Sequence, residues 1–252
     1  MKIDSSLNIL GSLPDWNLVT LFLNASIGSM KKSGGIHTYT AIKTDKSVMR
    51  FEKAITGTLI RFKNADVETL MRDVLNQEQI THNSLLLLFW NASSNNELLH
   101  YLNTHLFFPA FYSGRISIKK NEVAACIRDL KARESDLKKW SDSTIEVTAS
   151  KYLTLLKKFN LMEGELNKTI IHPYLNDQLF VMFVYWLKSI SPKPNLLDSE
   201  WIIYCFSERT VFMERLMQKK YTRYFHLNFT GDKLTIETIL PYSTLYDALT
   251  KS

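Results

Sequence analysis

The sequence predicts a mostly α fold: a helical N-terminal bundle followed by winged-helix-like units with small β-hairpins. Three observations carry this expectation. Glycine and proline are scarce, 8 and 6 in 252 residues, where average usage would give roughly 30 together; few breakers leave few tight turns. Apolar residues recur three and four positions apart over most of the chain, which is the period of a helix face. Strand-and-turn patterns appear only briefly, around Gly164 and Gly231. Hydrophobic residues at 45% and charged residues at 22% describe an ordinary globular chain and exclude a disordered one.

Taken in order, the N-terminal segment reads as an irregular arm, and Met30 to Lys46, with Gly34 and Gly35, as a loop. Val48 to Phe62 places Phe51, Ile55, Leu59 and Phe62 on one helix face. Asp66 is the expected N-cap of a helix whose stripe is Val67, Leu70, Met71, Val74 and Leu75. Asn83 to Trp90 is apolar enough for a buried helix, and Leu98 to Phe111 continues in that style, with Pro109 marking its end because proline has no N–H to donate. Ile118 to Leu130 turns Val123, Cys126, Ile127 and Leu130 inward. Ser143 with Glu146 three residues on has the capping-box spacing. The helix it opens runs to about Phe159, with Ile145, Ala149, Tyr152, Leu153, Leu156 and Phe159 as its core stripe. The segment NLMEGELNKTIIHP then reads as a hairpin tipped at Gly164 and stopped by Pro173.

Further on, Leu175 to Lys188 is a strongly apolar helix, Asp198 caps a helix through Phe206, and Glu208 to about Lys220 forms another. YFHLNF and LTIETI flank Gly231 as a second hairpin with Phe225, Leu227, Phe229, Leu234 and Ile236 inward. The chain thus divides into a helical N-terminal domain (1–112), a winged helix-turn-helix-like unit (113–173) and a helical C-terminal part with a β-hairpin (174–252) that has the outline of a second such unit.

Several chemistries have no sequence signature here. There is no phosphate-cradling G-x-x-x-x-G-K-[ST], no G-x-G-x-x-G, no H-E-x-x-H, no C-x-x-C and no G-x-S-x-G. His100 and His105 are five apart, so they do not share a helix face as a ligand pair must. No catalytic residue, cofactor, metal or small-molecule substrate is expected. Cys126 and Cys205 sit in apolar helical patterns and read as free thiols in a reducing compartment. The first residues, with Asp4 among them, do not read as a signal peptide. The longest apolar run, Leu179 to Leu187, is far short of the about 20 residues a bilayer requires. A cytoplasmic protein without membrane contact is the expectation.

The positive signal is charge with layout. The chain carries a net +6, and twelve basic against eight acidic residues fall between Phe111 and Ile171, so the excess is concentrated there. On the helix after Ser143, the side opposite the core stripe holds Thr144, Val147, Lys151, Thr154 and Lys158. Hydroxyls, lysines and small apolar groups are what a helix in the major groove presents to bases and phosphates. Ser141 and Ser143 stand at its N-terminus for a phosphate, and Lys168 on the hairpin for the backbone. Lys219, Lys220 and Arg223, interleaved with Tyr221 and Tyr224, form a secondary basic cluster suited to phosphate contact and stacking, or to the C-terminal dipole of a helix.

At these residues the sequence resembles the BrxA family of bacteriophage-exclusion (BREX) defence systems. The resemblance runs from about Val48 to Pro173 through MRFEKAITGTLIRF, NSLLLLFWNASSNNELLHYL and KKWSDSTIEVTASKYLTLLKKFNLMEG, the last with the family's Trp-Ser-x-Ser-Thr start and Leu-Leu-x-x-x-x-Leu ending. It implies an all-helical fold with small wings, likened to the NusB antitermination fold. It also implies a non-enzymatic protein that binds double-stranded DNA, with contacts from Ser143, Thr144, Val147 and Lys151. The first 40 residues and the long C-terminal extension depart from the family pattern. Two other readings compete: an adaptor docking on a larger enzyme of the same system, and an RNA-binding NusB-like protein.

Overall fold

The computed structural model describes residues 3, 6–24, 42, 44–76, 80–191 and 195–251. Within them the chain is mostly helical with two small antiparallel hairpins, as the sequence predicts. In chain order the helices are α1 (Ser6–Leu10), α2 (Asn17–Asn24), α3 (Asp45–Ala54), α4 (Ala65–Leu75), α5 (His82–Asn95), α6 (Glu97–Leu102), α7 (Phe108–Tyr112), α8 (Lys120–Arg133) and α9 (Asp142–Lys158). Strands β1 (Met162–Glu163) and β2 (Thr169–Ile170) follow, then α10 (Asp177–Ile190), α11 (Arg209–Leu216), β3 (Phe225–Thr230), β4 (Lys233–Thr238) and α12 (Tyr242–Thr250). They gather into two compact units, Met1–Arg61 with Gln79–His172 and Phe62–Glu78 with Pro173–Ser252. Helix α4 therefore belongs with the C-terminal elements. Most of the loop expected at Met30 to Lys46 lies outside the described residues; its last two residues open α3, capped by the Thr44 hydroxyl.

The first unit is built around α5, buried from Ser84 to Ser93. Phe89 meets Phe159 of α9 at 5.4 Å and Phe107 at 6.5 Å between ring centroids. All six residues of the predicted α9 stripe are buried, as are Val123, Ile127 and Leu130 of α8; Cys126 is only half-buried. A chain of buried hydrogen bonds crosses this core. The Tyr152 hydroxyl donates to Asn103 Oδ1 (2.9 Å), Asn103 Nδ2 to Ser93 Oγ (3.0 Å), and the Ser93 hydroxyl to the Phe89 carbonyl (2.8 Å).

Two helices end or bend through π-turns that period counting does not reveal. Residues Ile55–Leu59 widen into a π-turn, so the expected single helix from Val48 to Phe62 stops early, with Phe51 and Phe62 half-buried. Its last carbonyls are met from α5: Asn91 Nδ2 donates to Leu59 O (2.8 Å) and Asn95 Nδ2 to Thr58 O (3.0 Å). A second π-turn, Asn103–Phe107, joins α6 to α7. Pro109 does not end the helix as expected. It falls in the first turn of the new segment α7, where a missing N–H costs nothing.

The second unit packs α4 against α10 and α12. The α4 stripe is buried as predicted, but its N-cap is Asn64, whose Oδ1 accepts from Val67 N–H, and not Asp66, which sits in the first turn. The helix expected after Asp198 is instead a pair of 3₁₀ turns, Leu196–Asp198 and Glu200–Cys205, because Ser199 interrupts in extended conformation and re-caps the chain. Phe206 then ends it in the left-handed region, φ 55°. Tyr185 and Tyr242 tie the unit together: Tyr185 OH donates to Tyr224 O (2.7 Å), and Tyr242 OH donates to Tyr185 O (3.0 Å). Burial pushes the Tyr242 hydroxyl up to about 12. In the second hairpin Phe225, Leu234 and Ile236 are buried as predicted, whereas Leu227 is half-buried and Phe229 is 50% exposed. The hairpin packs through β4 on the Leu196–Asp198 turn, which leaves the far end of β3 uncovered. Helix α12 is absent from the sequence reading. Among the described residues no helix is long and apolar enough to cross a membrane.

Leu156 sits in the middle of the α9 stripe and is fully buried. Leu156→Ala is expected to destabilise the protein by about 2–5 kcal/mol, the range for a buried leucine; chemical denaturation with unchanged m-value reads this.

Candidate nucleic-acid interface

The candidate interface is assembled by the segment from α7 to β2. After α7 the chain is extended at Ser117, which bridges Thr169 of β2; Ile170 N–H donates to Ile116 O at 2.8 Å. Helices α8 and α9 follow, then β1 and β2, paired through Met162 with Ile170 and Glu163 with Thr169. Ser117 thus makes a third, minimal strand beside the hairpin. Between it, α9 and the hairpin loop opens a cleft of about 650 Å³. Lys119, Lys120 and Lys168 line it, with Ser150, Asn167 and the exposed side chains of Ile116 and Leu166.

The N-terminus of α9 is capped by Ser141, not by Ser143. Ser141 Oγ accepts from Thr144 N–H at 3.2 Å and lies 2.9 Å from the Thr144 hydroxyl. The helix starts earlier than expected because Asp142 already occupies its first turn, where a carboxylate suits the dipole. The expected capping partner Glu146 turns outward to Lys120 (3.0 Å) and Arg128 (2.9 Å). Those two cations hold its carboxyl below the usual carboxylate range.

Of the predicted contact residues, Ser143, Val147 and Thr154 lie on one open face with Ser150, and Val147 is 47% exposed. Thr154 Oγ1 donates back to Ser150 O. Lys151 and Lys158 lie at the edge where the N-terminal segment packs. Trp16 Nε1 donates to Lys158 O (3.2 Å), and the Trp16 ring meets Phe159 at 5.2 Å. Gly11 comes so close that a Cβ there would stand 2.4 Å from Lys151 O. Both lysines are half-buried, and burial, with Lys151 adding repulsion, lowers the Lys158 ammonium from its usual value. Lys168 Nζ donates to Glu165 O at 3.1 Å and faces the cleft.

The sequence reading missed Ser150, Lys119 and Lys120. Ser150 was available in principle, seven residues after Ser143 and hence on the same face; the lysines reach the site only through the fold. The arginines of this segment are engaged elsewhere. Arg115 pairs with Glu122, Arg128 with Asp142 and Glu146, and Arg133 NH2 donates to Tyr101 OH. Lys119, Lys138 and Lys139 are exposed, and among the described residues their ammonium groups make no hydrogen bond or ion pair.

The secondary cluster in the other unit serves its own fold. Lys220 Nζ (2.6 Å), Arg215 NH2 (3.1 Å) and Tyr221 OH (2.7 Å) all donate to the carboxylate of Asp177, the first residue of α10. Arg223 stacks over Tyr224 at 4.8 Å, and Lys219 is exposed. Tyr221 and Tyr224 are buried, so the expected stacking role is not open to them. Burial raises the Asp177 carboxyl, but the three donors more than offset it and bring it down to about 2.

A family model described as BrxA matches residues 42–184, a stretch that includes all of α9 and the cleft. No curated protein and no solved structure matches the chain.

Two outcomes follow from this geometry. Gly11→Ala forces a backbone clash against α9 and is expected to cost about 1–3 kcal/mol, as overpacking does; a melting temperature equal to the parent's would show that α1 does not approach α9 so closely. Because the Asp177 carboxyl is lower in the folded state than its ordinary 3.8, its contribution is present above that value and is lost as pH falls toward about 2. Asp177→Asn should flatten the acid limb of the stability–pH curve in that window.

Proposed function

The chain belongs to the BrxA family, and from that premise we propose that it is a non-catalytic, double-stranded-DNA-binding component of a BREX phage-defence system. One observation carries this reading. The order α7, Ser117 strand, α8, α9, β1, β2, with Ser117 paired on β2, is the order of a winged helix-turn-helix. It leaves Ser143, Val147, Ser150 and Thr154 of the second helix open beside a cleft lined by three lysines. A helix of this length, 17 residues or about 25 Å, fits the major groove, and the hairpin loop beside it reaches the flanking backbone.

In this reading Lys151, Lys158, Lys168 and Lys119 contact phosphates, and Ser143, Thr144, Val147 and Thr154 meet the groove floor. Ser141 contributes by fixing the helix start. The α9 face carries no arginine, asparagine or glutamine between Ser143 and Phe159, and of the nearby arginines Arg115 and Arg128 are held by carboxylates and Arg133 by the Tyr101 hydroxyl. Bidentate base contacts, worth about 1–3 kcal/mol each, are therefore missing, and low sequence specificity follows. An adaptor role toward other proteins of the defence system is the second reading. It is favoured by the exposed Tyr174, Val211 and Met217 of the C-terminal unit.

Duplex binding is expected to weaken steeply with salt through counterion release. Lys151→Ala with Lys168→Ala should lower the slope of log K against log salt by about one for each phosphate that the protein no longer neutralises. Unrelated duplexes of equal length should differ by less than about tenfold in affinity. A salt-independent signal, or one strong motif selected from a random duplex library, would overturn this function in favour of the adaptor or of an operator-specific regulator respectively.

A further inference from the structure

The loop between β1 and β2 contains a residue that its turn does not call for. Gly164, Glu165, Asn167 and Lys168 are the polar and flexible residues expected of a surface turn. Leu166, at the tip, leaves 98% of its surface exposed. The loop holds it there firmly. Gly164 has φ +88°, and a Cβ at that position would stand 2.2 Å from Asn167 O, so only glycine closes the turn. The Lys157 ammonium grips the Glu165 carboxylate, and Lys168 Nζ donates to Glu165 O. Behind the tip, Thr169 is braced on Ser117. The leucine is projected by a braced turn, not carried on a loose one.

Its surroundings limit what it can meet. Leu166 shares its cleft with Lys119, Lys120, Asn167 and Lys168; of the other apolar residues lining it, Ile118 and Leu153 are buried and Ile116 is 76% exposed. Two exposed apolar side chains, Leu166 and Ile116, beside three lysines make a small seat for an apolar protein surface. The arrangement has the composition of a minor-groove wedge, in which cations hold the two backbones while one aliphatic side chain enters between base pairs. The minor groove, about 6 Å wide, admits such a tip but not a helix.

We propose that Leu166 is a wedge that inserts between adjacent base pairs from the minor groove and kinks the duplex bound by α9. This deepens the DNA-binding function proposed above and rests on it. The preferred substrate is then locally deformable double-stranded DNA: flexible pyrimidine–purine steps and sites already unstacked, where insertion meets least resistance.

The test compares the full-length protein with Leu166→Ala and Leu166→Phe on a paired duplex, an otherwise identical duplex with a bulge, and a duplex carrying 2-aminopurine. The unmodified protein is expected to bind the bulged duplex about fivefold more tightly than the paired one and to raise 2-aminopurine fluorescence on binding. Leu166→Ala should still bind paired duplex with the parent's salt slope, show a bulge preference within about twofold, and leave the fluorescence unchanged; Leu166→Phe should keep both effects. Because the side chain packs on nothing, both variants should melt with the parent. Salt-dependent binding without bulge preference or fluorescence change in the unmodified protein, or persistence of both in Leu166→Ala, overturns the wedge and leaves the DNA-binding function standing. No salt-dependent binding to any duplex overturns both.

Discussion

The position of α9 depends on one buried hydroxyl. Tyr152 points its ring into the core of the first unit, and a phenol taken out of water must find a partner or forfeit the hydrogen bonds it had there. It finds Asn103, which leans on Ser93, which in turn bonds the backbone of α5. The apolar stripe of α9 packs chiefly on α8 and α1, and the polar chain adds a directional tie to α5. The polar chain accepts one register only. It also requires Asn103 to face inward, and Asn103 begins the π-turn between α6 and α7. The wider turn is thus part of the device that aims the exposed face of α9.

The same segment shows why its surface is arranged as it is. Eight carboxylates and twelve cations fall between Phe111 and Ile171, yet the carboxylates are spent unevenly. They take Arg115, Arg128, Lys120 and Lys157, which fastens α8 to α9 and the hairpin loop to α9. The lysines at the α8–α9 link and around the cleft are left to face solvent. Ion pairs on such exposed sites add little stability; their effect here is to decide which cations stay available.

What could be read from the sequence was whatever depends on neighbours three or four residues away. The stripes of α4, α8 and α9, the apolar run of α10 and both hairpins follow from period and turn residues, and the family resemblance, read over Val48 to Pro173, falls within the stretch that the family model matches. The errors have two sources: a choice among competing local caps and turns, and groups whose partners are distant in sequence. The cap at Ser141 and not Ser143, the passage of the helix through Pro109, and the 3₁₀ turns after Asp198 each depend on local backbone choices settled by packing. Lys151 and Lys158 were placed on the open face by angle alone. The angle was right, but Gly11 and Trp16, some 140 residues earlier in the chain, occupy the adjacent space. Tyr221 and Tyr224 looked like stacking platforms, but both rings are buried, with the Tyr221 hydroxyl bonded to Asp177 and the Tyr224 carbonyl to Tyr185.

Helix α4 has a consequence for how the protein is made. It is encoded within the first third of the chain, but the elements it packs against, α10 and α12, come after residue 176. A ribosome adding about 5–20 residues per second needs roughly 5–20 s to travel from the end of α4 to the start of α10. Throughout that interval Val67, Leu70, Met71, Val74 and Leu75 have no native surface to cover them. The first unit can close around this excursion while the nascent helix waits, its oily side open to chaperones and to other unfinished chains. The least protected moment in the life of this molecule therefore falls during its synthesis, at a site that is fully enclosed once the chain is complete.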